Sequence, residues 1–230
     1  MSHAIQSFPP ELFDFLRDLR RNNRREWFQA HKERYEDYVR HPALQFISDF
    51  GPHLRKISPN YLADPRPVGG SMFRIYRDVR FSKDKSPYKT AVGIQFRHKQ
   101  RKDVHSPGFY LHLEPDGCFA GLGIWHPDGA SLAKIRSFLV DNGNRWKRTL
   151  AGKRFQQEFQ LGGDSLKRAP KGYDPDHPLI EDLKRKDFIA YTPLDDSVVT
   201  SPGFLQEYAR LCRAGAPFVR ILADALGVAF

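Results

Sequence analysis

Gly108-Phe109-Tyr110-Leu111-His112-Leu113-Glu114-Pro115-Asp116-Gly117-Cys118-Phe119-Ala120-Gly121-Leu122-Gly123-Ile124-Trp125 decides the fold class. Phe109, Leu111 and Leu113 recur every second residue, the period of a strand with one buried face. Glu114-Pro115-Asp116-Gly117 is a strong turn signal, and Cys118 to Trp125 read as the returning strand. No helix-length crossover separates the runs, so they are expected to pair antiparallel. Gly121 and Gly123 share one face of the second strand, between Phe119 and Trp125. Glycines there leave room for a backbone, a ring or a ligand, and a sheet packed closely on a helix is the favoured reading.

The same period extends upstream. Met72 to Tyr76 alternate, and Thr90, Val92, Ile94 and Phe96 share a face, with His98 to Asp103 as a polar turn. These runs give an antiparallel meander over about residues 71–126. Helical spacing flanks it on both sides. Pro9-Pro10 opens a helix carrying Leu12, Phe15, Leu16 and Leu19, which ends at Arg20 to Asn23, with Asn22-Asn23 as a turn. A second helix starts near Arg25, with Trp27, Phe28, His31, Tyr35 and Tyr38 at helical spacing. His41-Pro42 is expected to break it, and Pro42 suits the first turn of a third helix. Residues 58–70 read as a loop.

Beyond the meander, Leu132, Ile135, Phe138 and Leu139 resume the helical period, and residues 162–178 read as a Pro- and Gly-rich loop. Then come a short helix over Leu179 to Lys186, a strand over Phe188 to Thr192, and a last helix from Ser201-Pro202 that Gly215 and Pro217 should break or kink. The expected architecture is α+β, an antiparallel sheet packed against N- and C-terminal helices. A single domain over residues 1–230 is expected, helical at 9–58, strand-rich at 71–126, and helical with loops at 129–230.

The chain has 230 residues, 40% of them hydrophobic and 18 of them Phe, enough for a sizeable core. Its net charge is +10. Residues 71–102 hold ten Lys and Arg against Asp78 and Asp84 alone, so this window carries +8 of that total. A field so focused concentrates anions. Two cysteines, Cys118 and Cys212, occur outside any CxxC pair, the usage of a reduced cytoplasmic protein, and they read as core residues. No apolar run approaches the roughly 20 residues of a membrane span.

Within the basic window, residues 74–89 interleave six cations (Arg74, Arg77, Arg80, Lys83, Lys85 and Lys89) with Asp78, Asp84, Tyr76, Phe81 and Tyr88. In an extended segment Arg74, Tyr76 and Asp78 project to one side, Ile75 and Arg77 to the other. Asp78 can hold one guanidinium in a two-pronged hydrogen bond, leaving other donors for a ligand. Ser82 to Pro87 read as a turn in which Asp84 and Ser86 bond nearby amides. Arg74, Arg77, Arg80, Lys85 and Lys89 are the candidate anion-binding residues, and Tyr76, Asp78, Asp84, Tyr88 and His112 the orienting or lining ones. Against this stands an internal ion-pair network, Arg77 with Asp78 and Asp84 with Lys85, its surplus absorbed by Glu114, Asp116 or Asp128.

The run Gly69-Gly70-Ser71-Met72-Phe73-Arg74-Ile75-Tyr76-Arg77-Asp78-Val79-Arg80-Phe81-Ser82-Lys83-Asp84-Lys85-Ser86-Pro87-Tyr88-Lys89 closely resembles the domain of unknown function 2461 family. So do Asn22-Asn23 with Trp27-Phe28, Pro107 to His112, and Leu166-Lys167-Arg168-Ala169-Pro170-Lys171-Gly172-Tyr173. The resemblance covers essentially the whole chain. It implies a single-domain cytosolic protein and supplies no activity.

The 166–178 loop is stiffened by proline. Lys167, Arg168, Lys171 and Tyr173 make it a candidate second part of an anion site, with an ordered connector in which Asp176 caps the next helix as the equal alternative. The histidines fit no HExxH or other compact ligand spacing, and His112, Glu114 and His126 are the nearest set. No GxSxG elbow or phosphate loop occurs. Neither a metal nor a cofactor is expected.

Three functions follow. The first is a pocket for a phosphate- or carboxylate-bearing small molecule, with Arg stabilising developing charge and a tyrosine, His112 or Asp78 handling protons in any reaction. The second is a nucleic-acid module using residues 74–102, with Arg97, His98, Lys99, Arg101 and Lys102 at a hairpin tip. The third is a structural or partner-binding protein whose Arg and Asp residues pair internally. No membrane partner is expected.

Overall fold

The computed structural model describes residues 7–100 and 106–230. The chain opens with α1 (Glu11–Arg21), α2 (Arg25–Ala30), α3 (Lys32–Tyr35) and α4 (His41–Ile57). The edge strand β1 (Tyr61–Leu62) follows. Then come β2 (Val92–His98), β3 (Gly108–Leu113) and β4 (Cys118–Ile124). Three helices, α5 (Gly129–Asp141), α6 (Gly143–Leu150) and α7 (Lys153–Glu158), lead to β5 (Gln160–Gly162). The chain closes with α8 (Ile180–Leu183), β6 (Phe188–Leu194), α9 (Asp196–Thr200) and α10 (Phe204–Ala225). The strands form one antiparallel sheet in the order β1-β2-β3-β4-β6-β5. The α+β expectation holds, with the β2–β3–β4 meander at the centre of the sheet.

Alternation along the strands gives the sheet two unlike faces. Val92, Ile94 and Phe96, Phe109, Leu111 and Leu113, and Ala120, Leu122 and Ile124 are all buried on the inner face. The long helices meet them there, with the Phe50 ring of α4 4.7 Å and the Tyr208 ring of α10 6.0 Å from Phe96. The buried apolar side chains form one continuous cluster, in which an aromatic such as Phe96 is worth about 3–5 kcal/mol against alanine. On the opposite face Gln95, Tyr110, His112, Phe119 and Tyr191 stay partly exposed.

The two glycines of β4 have different neighbours. Gly123, at φ +108°, backs onto the Phe188 carbonyl and the Phe218 ring of α10, the close sheet–helix packing expected. Gly121 lies instead beneath the Phe119 and Tyr110 rings of the open face. The reciprocal glycine, Gly215, is on α10, where an added Cβ would land inside the Leu122 side chain.

Several expectations are corrected. Pro217 does not interrupt α10, because it sits on the exposed side, where water can satisfy the carbonyl it leaves unbonded. His41-Pro42 does not break the chain either. A π-helical turn, Glu36–Arg40, joins α3 to α4 with both junction residues helical, and Pro42 sits in the first turn of α4, as expected. Met72 to Tyr76 form no strand and make only isolated bridges, Met72 with Ile94 and Tyr76 with Tyr88. β1 lies within a segment read as a loop, and β5 runs into the start of another at Gly162. The helix expected over Leu179 to Lys186 is limited to Ile180–Leu183. It is not capped by Asp176, and the Leu179 N–H goes to His177 Nδ1. Of the basic tip, Arg97 and His98 belong to β2, and Arg101 and Lys102 lie outside the described residues. Among the described residues no helix is long and apolar enough to cross a membrane.

Candidate functional site

Residues 74–89 leave the sheet edge as a narrow hairpin. Its stem is fixed by Arg77 N–H to the Pro87 carbonyl (2.9 Å) and Lys89 N–H to the Ile75 carbonyl (2.7 Å). Alternation across the stem is as expected, with Ile75 buried and Arg74 and Tyr76 outside. The tip is braced by charge. Arg80 grips Asp78 with two prongs, Nε to Oδ1 at 2.9 Å and Nη2 to Oδ2 at 2.7 Å. Those bonds hold the Asp78 carboxyl down to about 2. Arg77 pairs with Asp84, not with its neighbour Asp78. Asp84 also accepts the Ser86 N–H at 2.9 Å, and the two contacts hold its carboxyl far below the ordinary range. Lys85 turns inward to the Val79 carbonyl rather than to Asp84.

The internal network is therefore real and incomplete. It satisfies both carboxylates, and Arg74 and Lys83 pair with no carboxylate among the described residues. Phe81, 94% exposed, sits at the tip under the Arg80 guanidinium. Glu114 does not absorb the surplus, because it faces Arg20 instead.

Tyr76 and Tyr88 pair across the stem with their rings 5.5 Å apart, but differ in burial. Tyr88 is buried and stacks on Phe28 at 4.2 Å, while Tyr76 is 53% exposed. The Asn23 side chain binds the Tyr88 backbone at both its N–H and its carbonyl, so the α1–α2 turn holds the hairpin root.

Beside that root lies the open sheet face. The Tyr110 hydroxyl is 3.0 Å from His112 Nδ1, and His112 Nε2 is 3.1 Å from Glu114 Oε2. The other carboxylate oxygen of Glu114 accepts a bond from Arg20 at 3.0 Å. A carboxylate only accepts, so in the neutral ring Nε2 donates to Glu114 and Nδ1 accepts the Tyr110 hydroxyl proton. Burial, with the Glu114 charge adding to it, pushes the Tyr110 hydroxyl up to about 12.

Two glycines let the ring of Tyr110 lie across the sheet. Register sets it opposite Gly121 on one side, and on the other Gly93 lies opposite His112, two positions along and on the same face. A Cβ on Gly93 would stand 2.7 Å from the Tyr110 hydroxyl and 2.8 Å from Phe73. Phe73, at the start of the hairpin, has its ring 6.2 Å from that of Tyr110 and carries the Lys89 ammonium 5.5 Å above its centre. Burial, then the Arg74 charge, lowers the pKa of Lys89. Hairpin and relay are thus one ring apart.

Sequence reading had His112 and missed Tyr110 and Arg20. The signal for the first was Tyr110, His112 and Glu114 at every second position of one strand face. For Arg20, on another element, the sequence carried none.

The remaining candidates fall elsewhere. Lys167, Arg168, Lys171 and Tyr173 follow β5, the strand at the opposite edge of the sheet from β1. His126 does not join His112 and Glu114. It sits past the end of β4 in the left-handed region, at φ 47°, with its ring 3.3 Å from the buried Asp187 carboxylate. Asp187 also accepts the N–H groups of His126 and Asp164, which makes it a loop brace. Among the described residues no three His, Cys, Asp or Glu side chains are arranged to hold a metal. Cys118 and Cys212 are buried, and burial pushes both thiols up to about 12. Arg97 donates to the Gly70 carbonyl and His98 meets that of Ala229, so both serve the sheet edge rather than an open tip.

No curated protein matches this sequence. A family model described as a conserved hypothetical protein matches residues 11–220, and the chain belongs to that family, DUF2461.

Proposed function

We propose that the open sheet face and the hairpin root form one site, which binds a phosphate- or carboxylate-bearing small molecule and transfers a proton to or from it. The observation that carries this reading is the chain Tyr110–His112–Glu114–Arg20, lying partly exposed beside a cationic hairpin. Core packing has no need of such a chain. Titratable groups in series, each oriented by the next, are the machinery of acid–base catalysis.

Lys89, over the Phe73 ring beside the relay, and Arg74, whose charge acts on Lys89, would hold the anion. Arg77 and Arg80, fixed by Asp84 and Asp78, keep outward donors for it. Tyr110 would exchange the proton, His112 would take it up or return it, and Glu114 would balance the charge on the imidazole. Arg20 orients Glu114. The arrangement suits proton abstraction or general acid–base transfer on an anionic substrate.

The test is thermal unfolding with inorganic phosphate, pyrophosphate, sugar phosphates, nucleotides and short carboxylic acids, for the wild type and Lys89→Ala. A ligand at 100 times its Kd adds about 2.7 kcal/mol, roughly 5–10 °C for a chain of this size. One anion class should stabilise the wild type and leave the variant unmoved. No stabilisation by any compound, or an equal shift in both proteins, would contradict the reading.

A further inference from the structure

The helical side of the molecule carries a second concentration of positive charge, independent of the hairpin. α6, α7 and the middle of α10 enclose an open groove of about 520 Å3 whose rim holds Arg145, Arg148, Lys153, Arg154 and Arg213. A second groove, about 450 Å3, shares Arg145 and Arg148 with the first and adds Lys147 and His177. Among the described residues lining the two, Asp141 is the single acid. Arg145 is paired with Asp224. Arg148, Lys153, Arg154 and Arg213 are exposed and form no ion pair among the described residues.

We propose that these joined grooves bind the phosphodiester backbone of a nucleic-acid strand without reading its sequence. Their layout favours an extended anion over a compact one. The two depressions meet along α6, and the cations are spread over three helices, so a single phosphate would engage only a few of them. No base-stacking platform is offered, because Phe155, the aromatic in the first groove, is itself buried. Contacts are then to phosphate, which position a strand and carry no sequence information. This surface also differs from the end of β2, where Arg97 and His98 are engaged by backbone carbonyls.

The test is fluorescence anisotropy of the full chain with labelled RNA strands of about 20 nucleotides, in two unrelated sequences, across a salt series. Each phosphate neutralised on a single strand contributes about −0.7 to the slope of log affinity against log salt. Arg148→Ala combined with Lys153→Ala should make the slope shallower by about 1.4 and weaken both sequences alike. Both side chains are exposed, so the thermal midpoint should hold. Arg74→Ala combined with Lys83→Ala should leave the slope unchanged, which keeps this outcome separate from any anion binding at the hairpin. The proposal is overturned by no binding of the wild type at about 50 mM salt, by an unchanged slope in the α6–α7 variant, or by a loss confined to the hairpin variant.

Discussion

Asn23 and Tyr88 exchange two hydrogen bonds across 65 positions of sequence, the Asn23 amide donating to the Tyr88 carbonyl at 2.9 Å and its oxygen accepting the Tyr88 N–H at 3.1 Å. A side-chain amide here takes the place of a neighbouring strand. Three residues earlier, Arg20 holds Glu114. The end of α1 therefore fixes both halves of the proposed site, the hairpin root through Asn23 and the proton chain through Arg20.

Asn23→Ala should lower stability by about 1–3 kcal/mol, because it strands the N–H and carbonyl of a buried residue. Asn23→Asp, which keeps the acceptor and loses the donor, should fall between. Urea unfolding measures both, and an Asn23→Ala protein within about 0.5 kcal/mol of wild type would show that the clasp is idle.

Gly93→Ala should cost about 1–3 kcal/mol through overpacking. The new methyl would meet Tyr110 and Phe73 together, and both rings would have to move. Thermal unfolding gives the loss. The matching change at Gly129, which has open space around it, should be neutral or mildly stabilising. Equal effects at the two positions would argue against the tight seating of Tyr110.

Asp78 gives the pH dependence. Its carboxyl is lowered from 3.8 to about 2, first by the Arg80 side-chain bonds and then by the Arg80 N–H. The fold thus favours the ionised form. That contribution is complete above about pH 4 and fades as the pH falls toward 2. Carbon-detected NMR of the Asp78 carboxyl should show the low titration, and Arg80→Ala should return it toward the ordinary value. A wild-type Asp78 titrating at its ordinary pKa would contradict the fork.

Much of the fold was legible because it rests on local periodicity. Phe109, Leu111 and Leu113 fixed one strand, and the Glu114–Gly117 turn marked Cys118 to Trp125 as its return. A two-pronged bond at Asp78 was legible, but its partner was not: the fork takes Arg80, two residues on, while the adjacent Arg77 goes to Asp84. Proline misled where tertiary context decides its cost, at Pro42 beside a π turn and at Pro217 on an exposed helix face. Strands as short as Tyr61–Leu62 and Gln160–Gly162 leave no period to detect. Contacts between distant elements, Arg20 with Glu114 and Asn23 with Tyr88, have no sequence signature at all. These are the contacts that join the hairpin to the relay.

Nuclear magnetic resonance shift mapping tests the central claim most directly. Inorganic phosphate, pyrophosphate and acetate would be titrated in turn into labelled protein, with Tyr110→Phe as the comparison. The account predicts that one of these anions moves the signals of Phe73, Arg74, Lys89, Gly93, Tyr110 and His112 together, and that Tyr110→Phe weakens the response at His112 while the shifts around Lys89 persist. Shifts confined to α6 and α7, or no saturable shift on the open sheet face with any of the three anions, would contradict it.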